Sequence, residues 1–148
     1  MQKLLCFLFE NTNRPDIGLL VVRVGIGLSM ATLHGWGKIT SPDNWQRYGE
    51  NMQLFGIHFA PEFWGFMAGF SEFACALLMV AGVMFRPATC LLGFTMLVAS
   101  VRHLSLPADN PNAGLSGASH ALELMIVCIG LLLAGPGKYS LAGGKKNK

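Results

Sequence analysis

Residues Phe63–Phe85 read FWGFMAGFSEFACALLMVAGVMF, and this stretch decides the fold. It is long enough to cross a bilayer as a helix, for which about 20 apolar residues are needed. Its two faces differ. Phe66, Phe70, Phe73, Leu77, Val80 and Met84 recur at helical spacing and form an apolar stripe. Gly65, Gly69, Glu72 and Ala76 share another face, small except for the carboxylate. Small residues four apart let a second helix approach closely, so Glu72 is expected to point at protein rather than lipid. A carboxylate inside a membrane is costly and is expected to be paired, protonated or functional.

The composition outside this stretch agrees with a membrane setting. The 148-residue chain is 52% hydrophobic and only 13% charged, which suits one membrane domain better than a soluble one. The net charge of +3 is too small and dispersed for nucleic acid, and no nucleic-acid partner is expected. The excess cations gather near the termini, where they suit the anionic headgroups of a lipid bilayer. Cys6, Cys75, Cys90 and Cys128 form no CxxC pair, so they read as small core-filling side chains rather than a dithiol catalyst.

Working outward, three further spans emerge, giving an all-α, integral membrane four-helix bundle. The spans are expected at about 17–33, 63–85, 88–101 and 118–134. Residues 1–16 read as an N-terminal interfacial segment and residues 142–148 as a basic tail. Residues 40–61 are too long for a tight turn, and Trp45–Leu54 is expected to form a short helix over the bundle. Pro87 suits the first turn of the third span, and Gly135-Pro136-Gly137 stops the fourth. Lys3, Arg14, Arg86, Lys138, Lys145, Lys146 and Lys148 lie at one end; Lys38, Arg47 and Arg102 lie at the other. The positive-inside rule then places both termini in the cytoplasm.

This topology collects the polar residues. His34, His58, His103 and His120 fall at the outer end with Lys38, Glu62 and Arg102. Glu123 lies deeper, Glu72 near the midplane, and Arg23 deeper still. His120 and Glu123, three residues apart, share a helix face. Two readings stand. In one, Arg23, His34, Lys38, Glu72, Arg102, His103, His120 and Glu123 form a ligand pocket or proton path open to the outside. In the other, the charges lock the bundle, Arg23 pairing with Glu72, and Glu123 with Arg102 or His120. No HxxxH set of metal-ligand spacing is present, so no metal is expected. A quinone head group suits an outer pocket better: its carbonyls take hydrogen bonds, its chemistry takes protons and its ring takes apolar walls. No cofactor follows from the sequence itself.

These residues are arranged as in a known family. Arg23…Gly27…His34-Gly35…Lys38, then Gly69-x2-Glu72…Gly82 with the Arg86 turn, then Glu123…Gly135-Pro136-Gly137-Lys138-Tyr139-Ser140-Leu141 resemble the motifs of the DoxX family of small bacterial membrane proteins. The resemblance covers Ile17–Leu141, with a departure at Ala142, where an Asp often follows Ser-Leu. It implies a multi-pass protein of the bacterial inner membrane with a DoxX-like domain over residues 17–141. Relatives include a subunit of thiosulfate:quinone oxidoreductase and proteins of redox stress. The resemblance thus points to a subunit of a quinone-linked oxidoreductase or redox-stress system. The alternative is a non-catalytic anchor for a redox partner protein, docked on the 40–61 loop. A small transporter is disfavoured because no broken helix pair is evident. Assembly into an oligomer is compatible with either role.

Overall fold

The computed structural model describes residues 14–142, and all regular structure among them is helical. Four helices are long and apolar enough to cross a membrane: α1 (Pro15–Ile39), α3 (Pro61–Ala81), α4 (Phe85–Leu104) and α5 (Gly114–Ala134). Between α1 and α3 lies the short α2 (Trp45–Gly49), flanked by 3₁₀ turns at Pro42–Asn44 and Glu50–Phe55. The short helix expected over 45–54 is therefore present, half α and half 3₁₀. The interfacial segment at 1–16 and the basic tail at 142–148 lie outside the described residues except for 14–16 and 142.

Local chemistry sets the helix boundaries. Pro15 and Pro61 occupy the first turns of α1 and α3, where a missing N–H costs nothing, and Asp16 and Glu62 follow them at the positive helix ends. Pro87 sits in the first turn of α4 as expected. Gly82 ends α3 in the left-handed region at φ 70°. A side chain there would be strained and would also strike Arg23 and Ser140, so the α3–α4 turn requires glycine twice over.

The span bounds differ from expectation: α3 ends at Ala81 rather than Phe85, because Gly82 stops it, α4 runs from Phe85 to Leu104 rather than over 88–101, and the largest shifts are in α1 and α5. α1 runs six residues beyond Leu33, because Gly35 stays helical (φ −70°) under the backbone of α3. α5 begins at Gly114 rather than 118, after turns in which the Asn110 and Ala113 amides donate to the carbonyls of Pro107 and Asn110.

α1 packs on α3 and α4 on α5, and the pairs close over a common core. Met30 and Ala31 meet Ala76, Met79, Leu92, Met96, Leu124 and Cys128 there. The described chain ends meet at one end of the bundle, called the terminal end below: Lys138 binds Asp16 and the Leu141 amide donates to Ala81 O at 2.9 Å. The α1–α3 and α4–α5 connections form the opposite, loop end. Here the small face of α3 lies inward as expected, with Gly65, Gly69, Glu72 and Ala76 all buried. Gly65 lies against the backbone of Trp45, and Gly69 against Lys38 and Ile39. Close backbone approach thus clamps α2 and the end of α1 onto α3.

Candidate functional site

The site begins with two irregular turns. α1 widens to a π-helix over Met30–Gly35, where the Trp36 amide donates to Ala31 O, five residues back. α3 does the same over Ser71–Cys75, with the Ala76 amide donating to Ser71 O. Such π turns inside α-helices recur at functional sites. The two turns face each other, and Gly35 lies directly on the backbone of Glu72, where any Cβ would collide. Each turn carries an ionisable side chain, His34 on α1 and Glu72 on α3.

Glu72 is paired with Lys38. The lysine Nζ donates to Oε1 at 2.6 Å, with the carboxylate side chain 2% exposed and the lysine 28% exposed. Lys38 is held from two sides: its carbonyl accepts from Trp45 Nε1 at 2.9 Å, and its Nζ stands 5.6 Å from the centre of the Tyr48 ring. The second carboxylate oxygen, Oε2, is buried with no partner among the described residues. Next to Glu72, Ser71 bonds Thr95 at 2.8 Å and so ties the π turn of α3 to α4.

His34 extends this pair toward α5. Its ring centre lies 5.4 Å from that of His120, and Gly35 beside it rests on the backbone of Glu72. His34 is half-buried and His120 exposed. Lys38, Glu72, His34 and His120 thus cluster near the α1 π turn, from the core to the surface of the bundle.

The remaining expected members stand apart. Arg23 is 1% exposed but does not pair with Glu72, which corrects the expected ion pair. Glu72 lies level with Gly35, twelve residues along α1 from Arg23, a separation of about 18 Å at helical rise. Arg23 instead donates through Nη2 to Tyr139 O at 2.6 Å, beside Gly82 and Ser140 at the terminal end. Its Nε and Nη1 have no partner among the described residues. The expected pairing of Glu123 with Arg102 or His120 is likewise absent among the described residues. Glu123 is exposed on α5, at the edge of the face that Val127 packs on the core. His103 donates through Nδ1 to Asn112 O at 2.8 Å and holds the α4–α5 turn. Arg102 lines a polar cleft of about 490 Å³ with Arg47, Glu50 and Gln53. The single pocket expected from eight residues is thus a cluster of four, with four satellites.

The family model for DoxX matches residues 18–104, more than half of the chain. The chain belongs to the DoxX family. No curated protein and no solved structure matches it. As a DoxX-family chain with four apolar helices of spanning length, it is a multi-pass membrane protein. The matched region holds Arg23, His34, Lys38, Glu72, Arg102 and His103; His120, Glu123 and the closing Gly-Pro-Gly turn lie beyond it.

Two features of this DoxX-family bundle escaped sequence reading. The π turns leave no mark in residue composition, although Gly35 and Gly69, each against the neighbouring backbone, mark where the helices touch. The second is a cavity of about 60 Å³ under the α2 cap, lined by Tyr48, Met52, Trp64, Met67, Phe94 and Thr95 among others. The Trp64 indole N–H beside it is buried without a partner among the described residues. No three His, Cys, Asp or Glu side chains come together as a metal-ligand set among the described residues.

Proposed function

We propose that this protein is a subunit of a quinone-linked redox system in the bacterial inner membrane, with both termini in the cytoplasm. The observation that carries this reading is the Lys38–Glu72 pair beside two facing π turns, with His34 and His120 next to it toward the surface. An ion pair that served only to lock two helices would need no histidines beside it. The donor set fits a quinone head group: a half-buried imidazole at the edge of an apolar bundle, backed by a buried carboxylate and an ammonium. Bound there, a quinone would supply two-electron, two-proton chemistry, with the electrons arriving from a redox partner protein. The chain's own part is to bind and to move protons. His34 would hydrogen-bond the head group and exchange protons with it, while Lys38 holds the Glu72 carboxylate in place.

A short-chain quinone analogue titrated into the purified protein tests this through tryptophan fluorescence, since Trp36 and Trp45 flank the cluster. Saturable quenching is expected, weakened at least tenfold in His34→Gln at unchanged thermal midpoint. Quenching that never saturates, with no quinone extracted from the purified protein, overturns the reading.

A second role has its own observation. The cleft of Arg47, Glu50, Gln53 and Arg102 at the loop end is open and charged of both signs, which suits docking of a soluble partner and a purely anchoring subunit. A stable partner that survives purification, with no quinone response, favours that role.

A further inference from the structure

α5 carries a polar stripe at the edge of its own bundle, where His120 stands beside His34 and Val127 packs on the core. Ser116, His120, Glu123, Gly130 and Ala134 are all exposed. Their spacings of four, three, seven and four residues place them within about 80° of arc, at 100° per residue. Glu123 is the decisive member. It sits in the middle of a helix long and apolar enough to span, is exposed, and makes no hydrogen bond or ion pair among the described residues. A carboxylate facing hydrocarbon at that depth is costly, and intramembrane acids almost always face protein or a water-filled space. Something other than lipid therefore covers this stripe.

We infer that a second copy of this chain covers it, the α5 helices of the two copies packing side by side around a two-fold axis along the membrane normal. The stripe is self-complementary. In a symmetric pair the same patch meets itself, so residue i of one copy meets residue j of the other twice. His120 and Glu123 lie one turn apart on the stripe, so each Glu123 reaches the other copy's His120 diagonally, giving two equivalent acid–imidazole contacts. Two turns further along, Gly130 and Ala134 form a small pair four residues apart, and a Cβ on Gly130 would meet nothing within 4 Å in its own chain. That spacing lets two backbones come together. Polar contacts at one level and close backbone approach at another fix both register and distance. The inference shares His120 with the quinone reading but is read out by association alone, so either can fail without the other.

Energy transfer between donor- and acceptor-labelled full-length protein in liposomes, measured over a range of lipid dilutions, tests it. A dimer is expected, together with a disulfide-linked species when Gly130→Cys is oxidised in a variant whose native cysteines are replaced by alanine. Glu123→Leu is expected to weaken the dimer about tenfold, the equivalent of two interhelical contacts of ordinary strength, at unchanged thermal midpoint. Glu123→His weakens it too, and the exchanged variant His120→Glu/Glu123→His restores it, because the diagonal contact reforms with its partners swapped. A monomer at every dilution overturns the inference and leaves a foreign helix as the cover. A dimer indifferent to Glu123→Leu, or one that the exchanged variant does not restore, overturns it as well.

Discussion

Arg23 and Glu72 are both almost completely buried, at 1% and 2% exposure, and the bundle treats them in opposite ways. Glu72 meets a counter-charge from a neighbouring helix at the loop end. Arg23, at the terminal end, meets a backbone carbonyl and the end of α3, with no acid beside it among the described residues. The first arrangement depends on two side chains at once. The second relies on peptide dipoles, since the C-terminal end of a helix carries partial negative charge. A buried ion pair is fragile to loss of one partner, whereas a cation held by a single backbone carbonyl leaves no orphaned charge when it is removed.

The largest effect expected from this contrast follows Lys38→Met. It strands the Glu72 carboxylate in the core and should cost about 3–5 kcal/mol in unfolding free energy. Glu72→Met should cost less, since the part-exposed lysine can swing to the interface, and the Lys38→Met/Glu72→Met double variant should recover part of the loss. Denaturant titration in micelles reads all three. Equal, additive losses would mean that the pair contributes no coupling.

Arg23→Met comes next, at about 1.5–3 kcal/mol, the range for a hydrogen bond to a charged group. Combined with Glu72→Met it should be additive within about 0.5 kcal/mol, as for sites that do not touch. A large coupling energy would restore the ion pair that the geometry rules out. The smallest effect is Gly35→Ala, which pushes a methyl into the Glu72 backbone and should cost about 1–3 kcal/mol through overpacking. It leaves both charges in place, so it separates the fit of the π turns from the chemistry they carry. A stability equal to the parent's would mean that the turns are not in contact.

Much of this was legible in the residues. Phe63–Phe85 announced a span with a small inward face, and Gly65, Gly69, Glu72 and Ala76 are buried together as that pattern required. The partner of Glu72 was not legible, for two physical reasons. A first span that stops at Leu33 leaves Lys38 at the outer surface. In fact the helix continues to Ile39 and the lysine stem reaches back down. Glu123 was misplaced for a different reason. Lipid is as apolar as the core, so periodicity marks which residues share a face of α5 without saying which face turns inward. The meeting of His34 with His120 depends on how the α1–α3 pair closes against α4–α5, which no local pattern encodes.

The bond between Lys38 and Glu72 also bears on how the chain enters the bilayer. Its partners are 34 residues apart, one on the first long helix and one on the next. A carboxylate that entered with α3 alone would cross hydrocarbon as a bare charge or have to take up a proton first. Held by a lysine already at the far side, it can enter as half of a neutral pair. α1 and α3 are therefore expected to settle into the membrane as one hairpin, with α2 closing over its tip, before α4 and α5 dock. The order of assembly is written into which two helices share a proton-bearing contact, and a chain that lost Lys38 would fail first at insertion and only then at stability.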